Sequence, residues 1–376
     1  MLRHLSYIGL SRKNLEHNIK IFRGLIPKKT KLAAVIKANA YGHGQNEIAK
    51  MTERFIDYFQ VDDIDELRLL RKVTRKPALV LGYIAKDELL EAVKLGCIIA
   101  IYDIERLKIL NNIGKKQRQK PKIHLKIDAY FGRQGILLGE LDKFLSEAKK
   151  LKNIRIEGIY SHYSHLKDSK DLSHTEKQIK AFSEAISIAE SHGYKNLCRH
   201  ISASSGALLN KISPSHASMV RIGIGTYGLW PSLQIKRKFQ KKFNLRPVMR
   251  WVSHVAQVKT VPKNYSVGYG LSFITKKPTK IAVIPQGYGD GYDRKLSNKG
   301  EVLIRGKRCR VLGIITMNMF VVDVSHVPNV RPEDEVVLIG EQKRERITPG
   351  DIGSKIDTVN YEIVTRISPL LPRIEC

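Results

Sequence analysis

Along the first two-thirds of the chain, apolar residues come in short unbroken runs separated by longer stretches with helical spacing. Eight such runs lie at 32–36, 55–61, 78–81, 97–101, 123–128, 154–161, 197–202 and 219–222. A run without polar alternation fits a strand covered on both faces. Between them, 62–72, 86–95, 104–112, 138–149, 170–192 and a short piece at 205–211 predict amphipathic helices. A further strand is predicted within 2–10, and Ser11 is placed to cap a helix that runs to about 25, with Leu15, Ile19 and Phe22 on one face. Eight strands alternating strictly with helices predict an α/β fold of the (β/α)8, TIM-barrel type. A doubly wound sheet is the competing architecture, and the lack of GxGxxG after the first strand counts against it.

Near 229–232 the pattern changes. Runs at 248–261, 279–284, 301–304, 309–315, 320–324 and 335–339 are strand-like and divided by Gly, Pro, Asn and Asp turns. The predicted organisation is a barrel over 11–234 and a mostly β domain over 235–376. The N-terminal strand 1–10 is assigned to the second domain, because a strand ahead of the first barrel helix has no place inside the barrel.

A chain of 376 residues exceeds one ordinary core, which agrees with this division. No apolar run approaches the length of a membrane span, and the N-terminus lacks the apolar core of a signal peptide. A cytoplasmic protein with no membrane partner is therefore expected. The four cysteines are widely spaced and form no CxxC pair, and no HExxH or EF-hand pattern occurs, so no metal site is expected. The formal charge of +30 raises the question of nucleic acid. Its densest runs, at 114–122 and 236–242, fall between predicted elements, where solvated loops are expected. The charge reads as surface composition, with an anionic substrate or partner as the second reading and no nucleic-acid partner. A steeply salt-dependent shift on DNA would reverse that reading.

In a barrel of this type chemistry gathers at the C-terminal ends of the strands. The first strand ends at Lys37, followed by Tyr41. The fifth is followed by Lys126, Asp128 and Arg133, and the sixth by His162 and His165. The seventh ends in SASSG at 202–206, and the eighth supplies Arg221, Gly223, Ile224 and Gly225. A lysine closing a buried strand either snorkels to solvent or loses its charge in a Schiff base with an aldehyde cofactor. The last two strand ends are small, hydroxylated and glycine-rich, the composition of a phosphate cradle. A Schiff-base lysine and a phosphate cradle on one rim point together to pyridoxal 5'-phosphate.

AVIKANAYGHG, KIDAYFGRQG, GIYSHYS, HISASSGALL, VRIGIGTYGL, VGYGLSF, IPQGYGDGY and NYE follow one another through nearly the whole chain. In kind and order they resemble the motifs of the alanine racemase family. The resemblance implies a pyridoxal-phosphate-binding barrel, a β domain and a homodimer whose active sites are completed across the interface. It also implies two-base transfer of the Cα proton between L- and D-alanine, with D-alanine supplied for peptidoglycan. By matched position, Lys37 resembles the cofactor-holding lysine, and Tyr41, Ser204, Gly223, Ile224 and Tyr361 resemble the phosphate-binding set. Arg221 matches the arginine at the pyridine nitrogen and His162 the histidine beside the ring. Tyr269 matches the second base, supplied by the other subunit. Arg133 and Met317 match substrate-side positions, Tyr288 an entrance tyrosine, and Lys126 a position often carbamylated. Ala203 stands where the family often has Asn, and Asn318 where it commonly has Asp. A racemase for serine or a basic amino acid is the alternative enzyme. A non-catalytic single-barrel cofactor carrier would lack the β domain and Tyr269.

Overall fold

The computed structural model describes residues 4–166, 171–209 and 217–376. The start of the predicted 2–10 strand, the first residue of the 170–192 helix and the end of the 205–211 helix lie outside them. The chain divides into two compact units, one of residues 14–38 and 48–246, the other of residues 1–13, 39–47 and 247–376.

Strand β1 (Tyr7–Leu10) belongs to the second unit. The first unit holds β2 (Lys31–Val35), β3 (Tyr58–Val61), β4 (Ala78–Val80) and β5 (Ile98–Ile101). It continues with β6 (Lys122–Asp128), the two-residue β7 (Ile136–Leu137), β8 (Arg155–Tyr160), β9 (Cys198–His200) and β10 (Met219–Ile222). Apart from β7, which pairs with β6, they form one parallel sheet in the order β10-β2-β3-β4-β5-β6-β8-β9. Ser218 N–H donates to the Arg199 carbonyl at 2.8 Å and Arg221 N–H to that of Ser202 at 3.2 Å, so the two ends of the sheet meet. Eight parallel strands thus form a nearly closed barrel, as the alternation predicts. All four residues of β5 and of β10 are buried, as strands covered on both faces require. Ala33, Leu79, Ile98 and Met219 form one apolar layer across it.

The basic run 236–242 is helical rather than looped, and the run 114–122 is helical only to Gln117, with 118–121 forming the connection to β6, exposed over 118–120. Residues 114–117 continue the helix Ile104–Gln117. Residues 236–242 lie inside the helix Leu233–Phe243, whose N-cap Ser232 accepts from Ile235 N–H at 3.2 Å. Ile235, Phe239 and Phe243 recur every fourth residue and make the inward stripe, while lysine and arginine are good helix formers on the solvent side.

The second unit is built on β11 (Met249–His254), β12 (Gln257–Val261), β13 (Thr279–Ile284), β14 (Glu301–Ile304) and β15 (Lys307–Leu312). It is completed by β16 (Phe320–Asp323), β17 (Glu335–Gln342), β18 (Glu345–Ile347) and β19 (Arg373–Glu375). The sheet order is β12-β13-β16-β15-β14-β17-β11-β1-β19, with β18 on β17, and it is mostly antiparallel. β1 pairs antiparallel with β11 and parallel with β19. The buried Trp251 donates to Gln286 Oε1 at 2.8 Å and meets Tyr292 edge-on, and Tyr292 stacks on Phe320. Two short helices, Pro349–Lys355 and Asn360–Thr365, interrupt the β pattern near the end.

Candidate active site

The barrel rim is assembled by register. β2 and β3 are parallel with Val35 opposite Gln60, which sets Lys37 level with Asp62 two residues on. β2 ends at Val35 rather than at Lys37, and Lys37 opens a tight turn to Tyr41. Ala38, Asn39, Ala40 and Tyr41 all have φ between 50° and 54°, the left-handed region. Four consecutive non-glycine residues there are costly, roughly 1–2 kcal/mol each, and persist only where surroundings over-determine them. One such constraint is Glu66, which accepts the Ala38 N–H at 2.6 Å and the Asp62 N–H at 2.7 Å. Lys37 Nζ itself lies 3.0 Å from Asp62 Oδ1. Tyr227 Oη, from the loop after β10, donates to the Val35 carbonyl at 2.7 Å and anchors the end of β2.

Across the rim, Ser204 begins a five-residue helix after β9 and is buried. Its Oγ accepts from Gly223 N–H at 3.2 Å and Gly225 N–H at 3.3 Å. Two backbone donors and a hydroxyl therefore converge on one small region beside Ile224, a donor set that fits a phosphate. A Cβ at Gly225 would lie 2.3 Å from the Phe22 ring, so the close approach there needs glycine. Ala203 precedes this helix and offers no side-chain oxygen to cap it.

Between the lysine and the cradle lies Arg221, only 3 % exposed. One Nη donates to the Ser161 carbonyl at 2.9 Å and approaches His162 Nδ1 at 3.3 Å. The other donates to the His200 carbonyl at 3.1 Å and to His200 Nδ1. Arginine can only donate, so His200 Nδ1 must accept and its Nε2 carries the proton. That Nε2–H then donates to His124 Nδ1, 2.8 Å away. Burial lowers His124 to about 3 and His200 well below the usual histidine range, in both cases reinforced by Arg221. Both imidazoles are neutral, and Tyr160 stacks flat on His200 with ring centroids 4.8 Å apart. Burial also brings Arg221 down to about 10.

Lys126 Nζ donates to Gln134 Oε1 at 3.1 Å, and burial with nearby Arg133 and Arg221 lowers it to about 8. Arg133 is exposed and stacks on Phe131, which packs on the His162 ring at 5.7 Å. His165 is exposed, and its carbonyl accepts from Thr175 Oγ1. Lys37, Lys126, Arg133 and Arg221 outnumber Asp62 and Asp128 on this rim, which suits an anionic ligand.

The remaining predicted site residues lie in the second unit. Tyr41 and Tyr361 face each other with ring centroids 6.1 Å apart. Gly42 holds this segment in place, since a Cβ there would lie 1.8 Å from the Val364 carbonyl oxygen. Tyr288 N–H donates to the Thr316 carbonyl at 3.1 Å and Gly289 N–H to that of Met317 at 2.9 Å, so the Tyr288 and Met317 loops are fastened together. Asn318 follows, exposed. Tyr269 sits on the loop between β12 and β13, flanked by Gly268 and Gly270, both at positive φ.

Asp62, Glu66, His124, His200 and Gln134 were not singled out by the sequence. One signal was available: His124 and Lys126 are two apart on β6 and so share a face.

The chain matches the family model for the alanine racemase N-terminal domain over residues 10–231 and that for the C-terminal domain over 248–375. It is 37% identical to the alanine racemase of Leptospira interrogans, covering 98% of this chain and 95% of that protein. Identity to the alanine racemase of Methanococcus maripaludis is 35%, over 100% and 99%. The crystal structure of the Bacillus anthracis alanine racemase with bound L-Ala-P superposes with a TM-score of 0.90 at 29% identity, over 98% of this chain and 94% of that one.

Proposed function

The chain belongs to the alanine racemase family, and from that premise we propose that it interconverts L- and D-alanine with pyridoxal phosphate held at the barrel mouth. The observation that carries this reading is the placement of Lys37, Arg221 and the Ser204 cradle on one rim of the same barrel. Ser204 Oγ with Gly223 and Ile224, joined by Tyr41 and Tyr361, would hold the phosphate, Lys37 the aldehyde carbon, and Arg221 and His162 the ring. Bound there, the cofactor supplies the electron sink that makes a Cα proton removable.

Inverting Cα calls for a proton taken from one face and returned to the other, which two opposed bases do without either crossing the substrate. Lys37 serves one face and the partner subunit's Tyr269 the other, with the Met317 backbone N–H on the substrate carboxylate, Arg133 on the substrate side near the cofactor's phenolic oxygen and Tyr288 lining the entrance. Arg221 remains a cation even at about 10, because its ordinary alternative is loss of a proton well above neutral pH. Beside the ring nitrogen of a bound cofactor it would offer a hydrogen bond rather than a proton. A homodimer is supported by the apolar and aromatic surface of the second unit: Leu271 is 71% exposed, Met317 57% and Ile274 48% in the single chain. Lys126, lowered to about 8, has enough neutral amine near neutral pH to take up carbon dioxide as a carbamate. The product reading is D-alanine for peptidoglycan, made in the cytoplasm.

The test is a racemisation assay over a panel of L-amino acids that includes serine and lysine, together with borohydride reduction and peptide mapping. Alanine as the preferred substrate and a phosphopyridoxyl group on Lys37 are expected. Preference for serine or lysine would move the substrate assignment, and a label on a different lysine would overturn the site.

A further inference from the structure

Lys37 has one acidic partner among the described ion pairs, Asp62, at 3.0 Å. The pairing is built by the backbone. β2 and β3 run in register, so both residues leave the barrel at the same level. The Glu66 carboxylate binds the Ala38 and Asp62 N–H groups together, one oxygen to each. Gly82 N–H donates to the Asp62 carbonyl at 2.8 Å, and a Cβ on Gly82 would lie 2.3 Å from that oxygen. The main chain on either side of the pair is thus pinned from the end of β2, from the helix after β3 and from the end of β4. The two side chains are themselves 41% and 48% exposed, and an ion pair so open to water adds little to folding stability. Its placement beside the one lysine that the reaction needs is a better account of it than stability.

We propose that Asp62 is a positioning residue for Lys37: it receives the Lys37 side chain as an ammonium whenever that nitrogen is not covalently engaged, and holds it at the barrel mouth. This rests on the reading of Lys37 as the cofactor lysine. Condensation of an amine with the aldehyde of pyridoxal phosphate forms a C–N double bond and releases water, and it requires a neutral amine. An ammonium must first give its proton to solvent or to a base. A carboxylate partner resists that loss and, after displacement by an incoming amino acid, keeps the freed lysine from drifting away from Cα. The other ionisable groups that the barrel brings toward this pair are Glu66 through Ala38, Lys126 on β6 and the buried Tyr160 on β8. Among the described residues, Asp62 is the acid in hydrogen-bonding contact with the Lys37 amine.

The test uses the full-length chain stripped of cofactor with hydroxylamine and re-supplied with pyridoxal phosphate, with borohydride trapping at a series of pH values. Phosphopyridoxyl-Lys37 is quantified by peptide mass spectrometry. Asp62→Asn is expected to speed trapping near pH 7 by ~3–10-fold, because the amine then leaves no ion pair to reach the aldehyde. Asp62→Ser should do the same, Asp62→Glu should restore most of the wild-type profile, and Asp63→Asn, which keeps the helix cap, should leave it in place. Thermal unfolding of each variant checks that the fold persists. Wild-type trapping on a different lysine would sink the Lys37 reading. Trapping on Lys37 with the same profile in wild type, Asp62→Asn and Asp62→Ser would sink the role of Asp62 and leave Lys37 standing.

Discussion

The two units carry their candidate site residues in opposite ways. In the barrel, Ser204, Arg221 and Ile224 are 4%, 3% and 2% exposed, Arg221 within β10 and the other two just beyond β9 and β10. In the β unit, Tyr269, Met317 and Tyr288 are 72%, 57% and 43% exposed, on loops that turn at glycines. The barrel half is held in place within one chain: the Gly223 and Gly225 N–H groups meet Ser204 Oγ, and Arg221 meets the Ser161 and His200 carbonyls. The β half presents large side chains that its own chain leaves in water. A side chain so placed contributes to chemistry only when something else covers it, which is the physical content of the proposed dimer.

The sharpest way to break this contrast is Tyr269→Phe. It removes one exposed hydroxyl, so unfolding should be unchanged, while racemisation in both directions should fall ~10²–10⁴-fold, the usual cost of a positioned general base. Exchange of the D-alanine Cα proton with deuterated solvent should continue without inversion, and exchange of L-alanine should be lost. Mixing this variant with Lys37→Ala chains should restore activity if the tyrosine acts across the dimer, because one site of each mixed dimer carries neither change. No recovery with mixed dimers demonstrated, or equal exchange of both enantiomers, would remove Tyr269 from the role.

A smaller effect separates the glycines of the two halves. Gly225→Ala forces a methyl into Phe22 and should lower stability by ~1–3 kcal/mol and weaken cofactor retention. Gly268→Ala meets nothing closer than 3.6 Å and carries only the left-handed strain of its φ of +76°, about 1 kcal/mol. Thermal melts of the two variants decide this, and equal losses would mean that the barrel cradle is no tighter than the β-unit loop.

The smallest effect is a slope in pH. His124, lowered to about 3, and His200, lowered well below the usual histidine range, lie in the barrel, and His43, lowered to about 4, in the β unit; burial is the leading cause in each. Each binds a proton more readily unfolded than folded. Stability is therefore full above about pH 6.5 and lost as pH falls toward the folded values, by roughly 1.4 kcal/mol per pH unit for each histidine. With two such groups against one, the barrel should lose protection faster on acidification. Amide exchange read by mass spectrometry from pH 7 to pH 5 measures both units in one sample, corrected for the intrinsic exchange rate at each pH. Greater loss in the β strands than in the barrel strands would reverse the ranking.

Much of this was legible in residue order. The unbroken apolar runs located the barrel strands because a strand covered on both faces has no solvent side on which to place polar residues. Lys37 and the glycine-rich stretch around Gly223 were visible as residue types at strand ends, and the departures Ala203 and Asn318 only through the family resemblance. The helix Leu233–Phe243 was missed because its lysines dominate the composition, while its burial rests on only three residues a turn apart. The left-handed turn over 38–41 was missed for a different reason: Ala, Asn, Ala and Tyr have no local preference for it, and contacts from elsewhere hold it.

The sequence by itself therefore determined the strand–helix alternation, the change to a β pattern and the kinds of chemistry at the barrel mouth, since hydrophobic periodicity and residue type are local properties. Tertiary structure alone decided which groups meet: Lys37 with Asp62, Ser204 with Gly223 and Gly225, and Arg221 with His200 and then His124, 76 positions earlier in the chain. Those meetings depend on strand register and on closure of the sheet. A one-residue slip in register would leave the composition of every strand unchanged and turn each of these side chains to the opposite face.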